Sequence, residues 1–370
     1  MDTDLVSAFA RFDGWMTAAA LPFWSTTGHD GPGCGFTEHL TLDARPADVP
    51  FRRVRVQARQ IYVFSHAEVL GWTAGRPAAD DGYRFLLRHA RTAQGGWVRR
   101  IGRDGGVLDP AADLYDIAFV LFALAWRHRA TGDAEPVEVA LATLAWLDRL
   151  RIPGQPGFEN VVPVDGGPRQ QNPHMHLLEA ALAWYEATRA EPFLALALEL
   201  VELFRTRLFD RVTGTLAEFF TPDWQRLRPH GGQAAIEPGH QFEWAWLLHQ
   251  AGRLLDVDVA AEAGALYRFA AAHGGQPVID AVTEDGRAHD QAVRLWPQTE
   301  AIKAHLAFGN PAAAAALANG LHDRFLAPAP PGTWIDHFAP DGRALPDKIP
   351  ASSLYHLFVA YAEMQRVIRG

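Results

Sequence analysis

Histidine and carboxylate recur together in this chain at spacings that a helix would gather onto one face. In Glu237-Pro238-Gly239-His240-Gln241-Phe242-Glu243-Trp244-Ala245-Trp246, Pro238 and Gly239 break what precedes them and an apolar run at helical spacing follows. A helix is therefore predicted from about His240. His240, Glu243, Trp244 and Leu247 then stand at i, i+3, i+4 and i+7, one face of that helix. An imidazole with an unperturbed pKa of about 6.5 can accept and return a proton near neutrality. An isolated pair of this kind is commonly a core histidine satisfied by a neighbouring acid. The recurrence of the layout along the chain argues for more.

The elements that would position these groups alternate in kind. A first helix is predicted over 3–20 and a second near 48–72, with a Gly-rich stretch and a strand-like Phe36–Leu40 between them. A third runs to about 91, Arg103-Asp104-Gly105-Gly106 marks a hairpin turn, and a fourth starts near Pro110. Helices near 135–150, 192–209, 257–273 and 310–326 are each followed by a long turn-rich segment. Further helices near 173–189, 240–253, 296–308 and 351–369 complete the set. The pattern gives six helical hairpins at a nearly constant period. A hairpin cannot bury its apolar face alone, so repeats of this kind stack or close into a ring. Closure gives an all-α, (α/α)6 barrel with the more apolar even-numbered helices inside, short β-hairpins in the long loops at one end, and a single domain over 1–370. An open superhelix is the rival arrangement.

The first turns of the even-numbered helices would then share one mouth, where helix N-termini and loops converge. They carry Arg55, Arg59, Tyr62 and His66; Asp113, Tyr115 and Asp116; Asn172, His174 and His176; His240 and Glu243; Trp296 and Glu300; and Tyr355 with His356. Asp347 and Lys348 lie in the loop before the last helix. Polar and aromatic groups at equivalent positions of six repeats predict a shared pocket.

Five stretches resemble the N-acylglucosamine 2-epimerase superfamily. They are Arg59-Gln60-Ile61-Tyr62-Val63-Phe64, Asn172-Pro173-His174-Met175-His176-Leu177-Leu178-Glu179-Ala180, Pro238-Gly239-His240-Gln241-Phe242-Glu243-Trp244, Trp296-Pro297-Gln298-Thr299-Glu300 and Leu354-Tyr355-His356-Leu357-Phe358. The resemblance implies an (α/α)6 barrel that isomerises or epimerises free sugars without metal or redox cofactor. It implies His240 and His356 as paired acid/base groups and Arg59 as a substrate-facing cation. Asn172 and His176 would contact sugar, and Glu243 and Glu300 would orient the histidines. Tyr62, Tyr115, Asp116, Trp296, Asp347 and Lys348 are expected to complete the substrate pocket. The His174-Met175-His176 form looks more like the mannose isomerase branch, which makes an aldose–ketose isomerase of the D-mannose to D-fructose type the main expectation. A sugar 2-epimerase is the alternative. In either case a base removes the C2 proton of the open-chain aldose to give a cis-enediolate, and a guanidinium such as Arg59 can hold the oxygen that gains charge.

Composition narrows the partners. The chain has 370 residues, 48% hydrophobic and 21% charged, with net charge −9 and no Lys/Arg cluster, which argues against a nucleic-acid partner. One cysteine, Cys34, permits no internal disulfide and fits a reducing compartment. The amino terminus has no basic leader and the longest apolar run, 117–126, is too short to span a bilayer, so a cytoplasmic monomer or homodimer acting on a monosaccharide is expected. His174 and His176 would point apart on a helix, so joint metal chelation is not expected. A divalent ion on His240, Glu243 and Glu300 is the remaining metal reading. Asp116, Glu243 and Glu300 are the carboxylates a glycoside hydrolase would use. A non-catalytic sugar- or protein-binding barrel is the third possibility.

Overall fold

The structure, a computed structural model, describes residues 2–229 and 231–369. Among them are twelve helices. Helix α1 (Thr3–Trp15) continues through the π-helical turn Met16–Ala20 into Leu21–Thr26. It is followed by α2 (Val54–Val69), α3 (Arg76–His89), α4 (Leu114–Thr131), α5 (Glu135–Leu147), α6 (Asn172–Thr188) and α7 (Glu191–Leu203). The last five are α8 (Pro238–Leu255), α9 (Ala260–His273), α10 (Leu295–Ala307), α11 (Pro311–Leu321) and α12 (Leu354–Arg369).

The two kinds of helix differ as the sequence pattern predicts. Residues 56–68 of α2 and 297–306 of α10 are buried without a break, whereas α11 buries only Ala314, Ala315, Leu317, Ala318 and Leu321. A helix covered on every side must satisfy its polar side chains internally, and a helix covered on one side shows an apolar stripe. The even-numbered helices are of the first kind.

The chain clusters into two compact units. In the unit containing 22–40 and 45–205, α2, α4 and α6 pack side by side, with α3, α5 and α7 covering them in turn. In the unit containing 1–21, 41–44 and 206–370, α8, α10 and α12 form the covered layer. There α9 lies on α8, α11 on α10, and α1 against α11 and α12.

Each even-numbered helix is entered from a long loop through a short strand: Phe51–Arg53, Ala112–Asp113, Arg169–Gln170, Ala235–Ile236, Val293–Arg294 and Ile349–Pro350. Several of these strands pair antiparallel with a strand of the next long loop. Phe51–Arg53 pairs with Arg100–Gly102, Ala112–Asp113 with Val161–Val162, Ala235–Ile236 with Ala281–Thr283, and Val293–Arg294 with His337–Phe338. The strands explain why α2 and α4 begin later than their predicted starts near 48 and Pro110: the residues just before them are held in sheet. The expected hairpin is present as Arg100–Gly102 and Val107–Asp109 across the turn 103–106.

One device repeats at the helix starts. The buried carboxamide of Gln57 takes both backbone groups of Phe36, at 2.8 Å each. Gln241 holds Leu216 in the same way at 3.1 Å, and Gln298 holds Val278 at 2.8 Å. Two residues after each held position comes an acid, Glu38, Glu218 or Asp280, and each accepts from the backbone N–H four residues before its glutamine. Those donors are Arg53 at 3.0 Å, Glu237 at 3.2 Å and Arg294 at 3.0 Å. Glutamine and acid together fix where the loop meets the helix. In α6 the same place is taken by His174, whose ring accepts from Phe158 N–H at 3.0 Å and meets Gln170 O at 3.0 Å. Burial pushes this imidazole down to about 4, so it stays neutral and structural.

Because a buried N–H or C=O left without a partner costs about 1–3 kcal/mol, Gln57→Leu should lower unfolding stability by about 2–3 kcal/mol in denaturant titrations. A loss under 0.5 kcal/mol would show that the loop does not depend on the carboxamide.

Candidate active site

In the unit built on α8, α10 and α12, two histidines flank one indole. The Trp296 ring lies 4.7 Å from His240 and 5.7 Å from His356, centre to centre. Trp296 opens α10, His240 opens α8 and His356 opens α12, so three first turns contribute. The close approach depends on Gly239, where a Cβ would stand 2.7 Å from the indole and 3.0 Å from Pro297. Any larger residue there would displace Trp296.

Each histidine is backed by a buried carboxylate, and His240 has the partly exposed Glu237 as a second. His240 Nδ1 lies 2.8 Å from Glu218 and 3.5 Å from Glu237. His356 Nδ1 lies 2.9 Å from Glu300. Sequence reasoning assigned Glu243 to His240, one turn on. Glu243 does add to the charges that raise His240, but the carboxylate on His240 Nδ1 is Glu218. Ligand atoms of Glu243, Glu300 and His356 fall within 4.8 Å of one another, and those of Glu218, Glu237 and His240 form a second such group. A metal ion would therefore meet two separate triads, and the set of His240, Glu243 and Glu300 is not brought together as one. Glu218 was missed because it sits in a long loop with no helical spacing to mark it. Its signal was the repeat itself, an acid two residues after the position that the helix glutamine holds.

The electrostatics at His240 follow from this shell. Burial disfavours its charge, but Glu218 and Glu237 more than offset that and hold the imidazole up at about 9. His240 is thus an imidazolium at neutrality. Glu237 is itself raised, by burial and then by Glu218 beside it, with His240 and Arg294 pulling the other way. Arg294 meets Glu237 at 3.3 Å and Asp280 at 3.0 Å, and Asp280 in turn meets His337 at 2.8 Å.

In the unit built on α2, α4 and α6, a second group forms around Arg59. Its guanidinium donates to Tyr115 Oη at 2.6 Å and stacks 4.1 Å from the centre of Phe119. His176 packs against Tyr115 at 5.1 Å and Phe119 at 4.5 Å, and its Nδ1 meets Glu179 at 3.1 Å. Beside them is a polar cleft of about 400 Å³ lined by Tyr115, Asn172, Arg55, Arg99, Asn160 and Gln170, among others. Arg59, Tyr115, Asn172 and His176 are thereby placed as a polar set at the starts of α2, α4 and α6.

Other expected site residues have different surroundings. Asp116 accepts from the Arg55 backbone N–H at 3.2 Å and also pairs with the Arg55 guanidinium, so it anchors the start of α2. Burial pushes its carboxyl up to about 7 against the pull of Arg55. Tyr62 lies a turn deeper than Arg59, bonded to His66 at 2.9 Å and packed on Phe122 at 4.5 Å and Trp126 at 5.7 Å. It belongs to an aromatic core cluster. Asp347 and Lys348 face outward, 84% and 49% exposed, and pair with each other at 3.3 Å. Both were predicted from loop position alone, which carries no information on direction.

A histidine raised above its unfolded value stabilises the fold below about pH 6.5, and that contribution is lost as pH rises through the folded pKa. NMR titration of His240 should therefore give a midpoint near 9, and Glu218→Gln should move it down by at least one unit. A midpoint near 6.5 in the unaltered protein would contradict the charge assignment.

The chain is similar to known proteins over nearly its whole length. Residues 35–360 match the N-acylglucosamine 2-epimerase (GlcNAc 2-epimerase) family. A protein of Rhizobium meliloti (strain 1021) named mannose-6-phosphate isomerase is 33% identical, with all of each chain covered. A protein of Thermobifida fusca named D-mannose isomerase is 29% identical over 73% of this chain and 70% of its own. The structure of cellobiose 2-epimerase from Spirochaeta thermophila DSM 6192 superposes with a TM-score of 0.87, covering 99% of this chain and 97% of the other at 25% identity. The fold class is that of the (α/α)6-barrel epimerases. Among the described residues no helix is long and apolar enough to cross a membrane. The chain belongs to the N-acylglucosamine 2-epimerase family and is an enzyme of the sugar isomerases and epimerases, acting on a small-molecule sugar.

Proposed function

We infer that this enzyme is an aldose–ketose isomerase of the D-mannose to D-fructose type, acting through His240 and His356 as one catalytic domain. The observation that carries the reading is the pair of carboxylate-backed histidines on either side of Trp296. The family match runs through both compact units, which supports a single functional domain. Relatives named D-mannose isomerase support the ketose product, and those named cellobiose 2-epimerase keep the 2-epimerase as the second reading.

The chemistry needs no group beyond these side chains. His240, held as imidazolium, enters as an acid and protonates the ring oxygen as the sugar opens. The imidazole so formed can take the C2 proton and return it to C1 on the same face. His356 handles the oxygen-bound protons, its Nδ1 fixed by Glu300. The family resemblance assigns Arg59, always charged, to the oxygen on which negative charge grows. The indole of Trp296 offers an apolar face to the C–H side of a pyranose.

The cleft also bears on substrate charge. Arg55 is held by Asp113 and Asp116, and Arg99 by Asp109. Both guanidiniums are already paired with carboxylates, which favours a neutral sugar in this cleft over a phosphorylated one. The single cysteine suits a reducing cytoplasm.

Incubation with D-mannose should give D-fructose as first product, with kcat/KM at least tenfold above that for mannose 6-phosphate and no loss after chelation with EDTA. His240→Ala and His356→Ala should each lower kcat by at least about 10³-fold while leaving the fold intact. Glucose formed first with no ketose would favour the epimerase. Activity lost to EDTA and restored by a divalent metal would overturn the proton-transfer scheme.

A further inference from the structure

A lysine is buried in α10 directly behind the His356 pair. Lys303 lies one turn past Glu300, and both side chains are 0% exposed. Lys303 Nζ stands 2.5 Å from Glu300 Oε2 and 4.2 Å from the centre of the Trp246 ring. The other carboxylate oxygen, Oε1, meets His356 Nδ1 at 2.9 Å and Thr299 Oγ1 at 3.5 Å. One carboxylate thus bridges an ammonium and an imidazole, with Glu243 close to both Glu300 and His356.

Stability does not explain this arrangement. A buried ion pair is commonly no better for the fold than well-packed apolar residues of the same size, and breaking it by removing one partner is costly. A methionine and a leucine would fill the space beside Trp246. What the pair supplies is a fixed direction of charge. A carboxylate deprived of its ammonium in a dry setting takes up a proton or turns toward another donor. Glu300 could then no longer be relied on to accept from Nδ1–H.

We propose that Lys303 is a positioning residue for the reaction. It holds Glu300 oriented so that His356 keeps its proton on Nδ1 and presents the lone pair of Nε2. This role rests on the reading of His356 as an acid/base group. The tautomer of an acid/base histidine is set by the hydrogen bond its other nitrogen makes, so a lysine without sugar contact controls which nitrogen can act. The two histidines are built differently in this respect. At His240 the cation, Arg294, sits on the more distant carboxylate, Glu237, whereas at His356 it sits on the carboxylate that touches the ring.

The test compares Lys303→Met, Lys303→Arg and the double variant Lys303→Met/Glu300→Gln. Protein labelled with ¹⁵N-histidine reports the tautomer of His356, assigned by its loss in His356→Asn. The unaltered enzyme should show the Nδ1–H form, and Lys303→Met a mixture. In Lys303→Met kcat should fall at least tenfold with KM changed less than threefold, and Lys303→Arg should recover most of it. If Lys303→Met does not fold, the double variant removes both charges together. Lysine acting through Glu300 predicts a double-variant kcat within about twofold of Glu300→Gln alone. A Lys303→Met protein with unchanged tautomer and kcat, or a double variant a further tenfold slower, would overturn the proposal. The tautomer is read without turnover, so it stands or falls apart from the choice of sugar.

Discussion

A carboxylate removed from water must find positive charge or hydrogen-bond donors, or lose its own charge. The layers of this enzyme are organised around that constraint. Glu218 meets His240, Glu300 meets both Lys303 and His356, Asp280 meets Arg294 and His337, Glu38 meets Arg53, and Asp116 meets Arg55. All of these acids are buried, and most lie at the entrance to an even-numbered helix. Where the partner is arginine the result is a fixed loop. Where it is histidine the same geometry gives a group able to move a proton.

The site is therefore a modification of a structural module. Acid, backbone N–H and helix glutamine form one unit that recurs at α2, α8 and α10. In the α2 copy Glu38 spends its remaining oxygen on Arg53, and in the α10 copy Asp280 spends its own on His337. In the α8 copy that oxygen reaches His240, three residues past the backbone donor, and sets its charge. The placement of His240 thus inherits the precision with which the repeat already docks its loops.

The sequence made the repeat legible because burial on every side leaves a continuous apolar pattern, as in 117–126 of α4, and because turn residues punctuate the long loops. First-turn residues such as His240, Trp296 and His356 could be named since a helix start has a recognisable chemistry. Glu218 could not, because loop residues have no period to place them. Glu243 shows a related limit: i, i+3 spacing sets it beside His240, whose charge it helps to hold, but the loop decides that Glu218 is what meets Nδ1. Tyr62 shows the same limit along the helix axis. It shares a face with Arg59, yet one turn of depth takes it from the polar set into the aromatic core.

The central claim is that a histidine side chain carries a proton between adjacent sugar carbons with little loss to solvent. Turnover of D-mannose in deuterated water, followed by ¹H and ²H NMR, addresses it directly. The account predicts fructose whose C1 deuterium is sub-stoichiometric and confined to one of the two C1 positions, since one imidazole on one face returns the proton it removed. Product carrying a full equivalent of deuterium at C1, or label scrambled equally over both C1 positions, would contradict it.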